Sequence, residues 1–165
     1  MKKKIIFDLD GVLRDLLSIF RERFNVPQTS TWIFTHNGKT IYDYIKEDYS
    51  VLYKAEPTQY LDVIKEYIGK SKIEIWSYQP EDWIKYTKKW LNIFLKDKYI
   101  IKYLNPEEKY RKLKENKDMF LVEDYPLFPD YSRIILIDTS YNQEVKPFVR
   151  VKDKEELKTL LWKYK

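Results

Sequence analysis

Ile5-Ile6-Phe7-Asp8-Leu9-Asp10-Gly11-Val12 is the stretch that decides the fold. Three apolar residues followed at once by two aspartates and a glycine read as a short strand buried on both faces, with a polar end that turns sharply. The period-two geometry of an extended chain puts Asp8 and Asp10 on one side of that end. Adjacent carboxylates repel, and such a pair is tolerated where a cation or a shared proton neutralises it. A helix cap or a polar turn would account for one aspartate. It accounts poorly for Asp-x-Asp-Gly-Val at the end of the first apolar run.

Four more apolar runs, residues 73–77, 99–104, 119–123 and 134–138, are rich in Ile, Val, Phe and Tyr and also read as strands buried on both faces. Helical patterns lie between them. Thr58 is placed to cap a helix carrying Leu61, Ile64 and Ile68 on one face, and residues 81–95 space Trp83, Ile84, Trp90, Leu91 and Phe94 helically. Asn105-Pro106-Glu107-Glu108 is a helix start, and Asp153 with Glu156 forms a capping box for a last helix burying Leu157, Leu160 and Leu161. The alternation predicts an α/β fold: a three-layer, Rossmann-like core with a central parallel sheet. More than sixty residues separate the first two strands, against roughly 30 for a simple βαβ unit. The excess predicts a small, mainly helical cap over residues 15–55, inserted into a core of 1–14 and 56–165. It comprises an amphipathic helix over 15–24, an irregular stretch or short hairpin over 29–38 and a helix over 39–54. An insertion there lies over the strand ends, where open α/β sheets bind ligands.

The chain has 165 residues, 44% apolar and 35% charged, which suits one globular domain with an insertion and excludes a disordered or collagen-like chain. Cysteine is absent, which excludes thiolate zinc sites and cysteine nucleophiles, and His36 as the only histidine disfavours zinc hydrolases and histidine-based triads. Acid–base chemistry falls to carboxylates, lysines or tyrosines. No apolar run is long enough to span a bilayer, and Asp8 ends the opening apolar stretch after three residues, so the expectation is a soluble, cytoplasmic protein without a membrane partner. A net charge of +5 fits either a lysine-rich surface or a site for a phosphate-bearing ligand. The lysines are spread along the chain, which disfavours a nucleic-acid partner.

In these motifs the sequence resembles the haloacid dehalogenase superfamily, whose phosphatases open with Asp-x-Asp-Gly-Val/Thr. Ser77 closes the second strand, Lys109 lies one turn inside the helix that begins at Asn105, with Lys112 next, and Glu123-Asp124 closes the fourth strand. Glu56-Pro57, Lys88-Lys89-Trp90-Leu91 and residues 137–143 narrow the likeness to the 5′(3′)-deoxyribonucleotidases, from which Leu9, Arg14 and the short cap depart.

The resemblance implies a Mg²⁺-dependent phosphomonoesterase. Asp8 would be the nucleophile and Asp10 the acid and base; Ser77 and Lys109 would bind the phosphoryl oxygens. Asp8, Asp10 (through its backbone carbonyl), Glu123 and Asp124 would serve the metal. The implied substrate is a (deoxy)nucleoside monophosphate; the alternatives are another small phosphate ester, or a nucleic-acid end-processing phosphatase or binding module. Lys109 also reads as a solvated helix lysine and Ser77 as a strand-end turn. Trp32, Phe34 and Tyr42 would stack on a base or form the core of the cap. Arg14 would reach a phosphate or sugar, or pair with Asp15 or Glu22 in solvent. His36 is equally open.

Overall fold

The structure is a computed structural model and describes residues 3–27, 32 and 34–165. Six strands, β1 (Lys4–Phe7), β4 (Ile73–Ser77), β5 (Tyr99–Tyr103), β6 (Met119–Glu123), β7 (Ile134–Ile137) and β8 (Val149–Val151), form one sheet in the order β5-β4-β1-β6-β7-β8. Every pairing in it is parallel. The period-two rule sorts the side chains. Ile5, Phe7, Ile73, Ile75, Phe120, Val122, Ile135 and Ile137 face one layer, and Ile6, Trp76, Leu121, Ile134 and Leu136 face the other. The first layer is covered by α4 (Leu61–Ile68), α5 (Ile84–Phe94) and α7 (Lys154–Lys163), through Leu61, Ile64, Trp90, Leu91, Leu157 and Leu161. The second is covered by α6 (Pro106–Glu115), through Leu113. This is the expected three-layer α/β arrangement.

Some elements depart from expectation. Strand β5 lies at the sheet edge, where no described strand pairs with its outer side, and Ile100 and Lys102 are exposed on one face; Lys102 bonds Glu74 on β4. The connection from β6 to β7 has no helix. The aromatic rings of Tyr125, Phe128 and Tyr131 pack edge to face there, and Phe128 fills the helix's place in the core. Thr58 stands three residues ahead of α4, its hydroxyl donating to the carbonyl of Val12 and accepting from the Tyr60 N–H. Strand β8 was not expected. Residues 81–95 begin with a 3₁₀ turn (Glu81–Trp83) before α5.

The segment between β1 and α4 contains α1 (Leu16–Phe24), a hairpin of β2 (Thr35–His36) and β3 (Lys39–Thr40), α2 (Ile41–Glu47) and α3 (Val51–Lys54). The helix expected over 39–54 is therefore two helices and a strand. Thr40 and Asp43 form a capping box that starts α2, and the Asp48 carboxylate accepts the Ser50 N–H, turning the chain before α3. Residues 28–31 and 33, part of the stretch read as irregular, lie outside the described residues. Leu16, Phe20, Phe34, Tyr44, Ile45 and Leu52 pack into a core of their own, joined by Trp83. No helix among the described residues is long and apolar enough to cross a membrane.

Candidate functional site

After β1 the chain proceeds to β4 on one side and, two strands later, to β6 on the other. The ends of β1, β4 and β6 therefore flank the point where the strand order reverses, which is where open α/β sheets form a crevice. Asp8 leaves β1 there, Ser77 ends β4, and Glu123 and Asp124 end β6. A cavity of about 410 Å³ opens at this place, a size ordinary for a small-molecule site. Asp8, Asp10, Ser77, Lys109, Glu123 and Asp124 all line it, so the six expected residues meet. Lys112 is not among its lining residues.

Lys109, set into the cavity by the first turn of α6, is buried and donates to Asp8 Oδ1 at 2.5 Å and to Glu123 Oε2 at 2.9 Å. This removes the alternative of a solvated lysine. Burial alone would pull its ammonium down, but the two carboxylates lift it above its ordinary value. Burial, reinforced by the charge of Glu123, pushes the Asp8 carboxyl up to about 8 against the pull of Lys109. Asp124, wholly buried, is raised well above the usual carboxylate range by burial first and then by Glu123 and Asp8. Carboxylates so placed are short of positive charge.

Oxygens of Asp8, Glu123 and Asp124 lie within 4.8 Å of one another. Glu123 is largely occupied: Oε2 meets Lys109 and Oε1 accepts the N–H groups of Asp124 and Tyr125. Asp124 Oδ2 accepts Trp32 Nε1 at 2.9 Å and the Tyr141 hydroxyl, while Oδ1 is buried without a partner. Gly11 supplies the space: its φ is +83°, and a Cβ built there would lie 2.0 Å from Asp124 Oδ2. An orphaned buried carboxylate oxygen beside two more carboxylates is a donor set of hard oxygens, which suits Mg²⁺ and not a soft metal. Asp8 and Asp124 could hold such an ion directly, with Glu123 behind them.

Asp10 behaves differently. Its carboxylate is outside the acidic cluster and turns to Arg14, which is fully buried and reaches Oδ1 at 2.6 Å and Oδ2 at 2.9 Å. Arg14 therefore pairs with neither Asp15 nor Glu22; the Asp15 side chain is engaged in capping α1 through Ser18. Gln79, also buried, bridges Asp10 Oδ2 (2.7 Å) and Ser77 Oγ (3.0 Å).

Of the three aromatics expected to serve a base or the cap core, Trp32 and Tyr42 line the cavity and Phe34 does not. Phe34 packs edge-on against Phe20, 6.2 Å between centroids, within the cap core. His36 sits in the β2–β3 hairpin beside Asn37, and it too is absent from the lining. Sequence reasoning missed Arg14's true partner, together with Gln79, Thr87, Tyr141 and the Trp32–Asp124 bond. No family model matches the chain, and no curated protein matches it.

Proposed function

We propose that the protein is a Mg²⁺-dependent phosphomonoester hydrolase that works through an aspartyl-phosphate on Asp8, with (deoxy)nucleoside monophosphates as its substrates. One observation carries this reading: the strand-end cluster in which Lys109 bridges Asp8 and Glu123 while Asp124 keeps a buried oxygen without a partner. Asp8, Asp10, Glu123 and Asp124 against Lys109 and Arg14 leave two excess negative charges when all are ionised. A phosphate dianion would be repelled by such a site, so a divalent cation is needed for it to enter. Held by Asp8 and Asp124, the cation would neutralise phosphoryl oxygens as charge develops on them.

Asp8 attacks phosphorus; the Asp8 oxygen–phosphorus bond forms as the bond to the leaving oxygen breaks, and the Asp10 proton passes to that oxygen. Water then bonds phosphorus, the Asp8 oxygen–phosphorus bond breaks, and a water proton returns to Asp10. Lys109 and Ser77 hold the phosphoryl oxygens. Leu16, Trp32, Ile41, Tyr42 and Trp83 give the remaining cavity an apolar, aromatic wall, which suits a flat base. The test is phosphate release from a panel of nucleoside monophosphates and sugar phosphates, with Mg²⁺ and with excess chelator. Turnover of nucleotides that vanishes on chelation and returns with Mg²⁺ is expected. Full activity in chelator, or no turnover of any ester, would overturn the reading.

A further inference from the structure

Arg14 is the largest polar side chain the fold buries completely, and all five of its N–H groups have partners. Nε and one Nη2 hydrogen go to the two oxygens of Asp10, and the second Nη2 hydrogen goes to Gln79 Oε1 at 3.4 Å. Nη1 donates to the backbone carbonyl of Leu52 at 2.6 Å and to Thr87 Oγ1 at 3.3 Å. Thr87 in turn donates to Gln79 Oε1 at 2.9 Å, and Gln79 donates to Asp10 and Ser77. These bonds link the loop after β1, the end of β4, helix α5 and, through Leu52 of α3, the inserted segment.

Neutralising one buried aspartate requires only a cation. A planar fork on both oxygens, with the guanidinium fixed in turn by three other groups, also specifies the direction of the carboxylate. Oδ1 accepts one bond and Oδ2 two, which leaves Oδ1 a lone pair for a proton. The Leu52 carbonyl belongs to the insertion, so that segment supplies one of the bonds that fix the guanidinium behind the fork.

We propose that Arg14 is the positioning residue for Asp10, aiming its carboxyl at the leaving oxygen. The inference rests on the phosphatase reading and adds to it a residue for which the motifs gave no role. It predicts a dependence on the leaving group. An alkyl phosphate needs a proton delivered as its oxygen departs; p-nitrophenyl phosphate does not. Since kcat/KM reports only the steps through leaving-group departure, the two esters separate this role from general damage.

The experiment compares wild type with Arg14→Lys, which keeps the charge of the site and removes the planar fork, on a nucleoside monophosphate and on p-nitrophenyl phosphate. General acids contribute about 10²–10⁴-fold, so misaiming one should lower kcat/KM for the nucleotide roughly 10- to 100-fold. For the aryl ester, kcat/KM should change less than about threefold, while its kcat falls because Asp10 also serves the hydrolytic step. A pre-steady-state burst of nitrophenol should then appear. Equal losses of kcat/KM on both esters, or no loss on either, would overturn the proposal. If Arg14→Lys does not fold, Thr87→Val removes one support of the fork almost isosterically. It should show the same selectivity at smaller size, and its absence would also overturn the proposal. A wild type inactive on both esters would instead refute the phosphatase reading itself.

Discussion

Gly11 has no side chain, yet the geometry of the acidic cluster depends on it. Its φ of +83° lies where a Cβ costs about 1–2 kcal/mol, and the Cβ would also collide with Asp124. Gly11→Ala should therefore lower the melting temperature and displace the carboxylate that keeps an unpartnered oxygen. In thermal scans, Mg²⁺ should raise the melting temperature of the wild type by binding the folded state. For Gly11→Ala that rise should be absent, and a normal rise would show that Asp124 is not a ligand. Asp8→Asn is the complementary case. It removes one of three crowded carboxylates and keeps the shape, so circular dichroism should be unchanged while phosphate release falls below detection. Activity near wild type would take the nucleophile's role from Asp8.

Single elements hold the site because their ends are pinned. Glu74 on β4 accepts Trp76 Nε1 and Lys102 Nζ and pairs with Lys4 Nζ at 2.6 Å, tying β1, β4 and β5 together across the sheet. Partial burial works to raise its carboxyl, but the donors from Lys102, Lys4 and Trp76 prevail and hold it down at about 2, against an ordinary 4.5. A carboxyl depressed by folding contributes stability above its unfolded value, and that contribution is lost as pH falls from about 4.5 toward 2. Denaturation curves collected across that window should therefore fall more steeply for wild type than for Glu74→Gln; identical slopes would show the three strands are held otherwise. The same scale explains what the sequence discloses. Asp8 is legible because it terminates an apolar run, whereas Ser77, Lys109, Glu123 and Asp124, though they too sit at strand ends or a helix start, are singled out only by the resemblance. Arg14 looks like any surface arginine: its partner Asp10 is only four residues back, but the groups that bury it, Leu52, Gln79 and Thr87, lie 38, 65 and 73 residues away. Trp32 reaches Asp124 across 92 residues, and neither residue's neighbours signal it. Strand β8 is only three residues long, too short to show a period, and edge strand β5 has the apolar composition of a buried one.

Across the whole molecule the inserted segment and the sheet divide the work of recognition. Ser77, Lys109 and Asp124 reach the cavity from the core, and Leu16, Trp32, Ile41 and Tyr42 from the insertion. Two aromatics of that insertion separate contact with substrate from support of the cap. Tyr42 is 40% exposed, lies 5.2 Å from Trp83 and faces the cavity; Phe34 is buried among Phe20 and Tyr44 and does not. A stacking contact with a base is worth about 1–3 kcal/mol, and 1.4 kcal/mol is about tenfold in affinity. Tyr42→Ala should then raise KM for a nucleoside monophosphate about tenfold or more, with little change on acetyl phosphate, whose leaving group is too small to reach the aromatic wall. Phe34→Ala should instead cost about 3–5 kcal/mol of stability, as truncation of a buried phenylalanine does, and lower the melting temperature. Below its melting temperature its KM should stay close to wild type on both substrates. Steady-state kinetics and thermal scans on the two variants decide the matter. If Tyr42→Ala raises KM equally on acetyl phosphate, the ring acts on the phosphate site or on the cap as a whole, and the cavity wall no longer argues for a nucleotide.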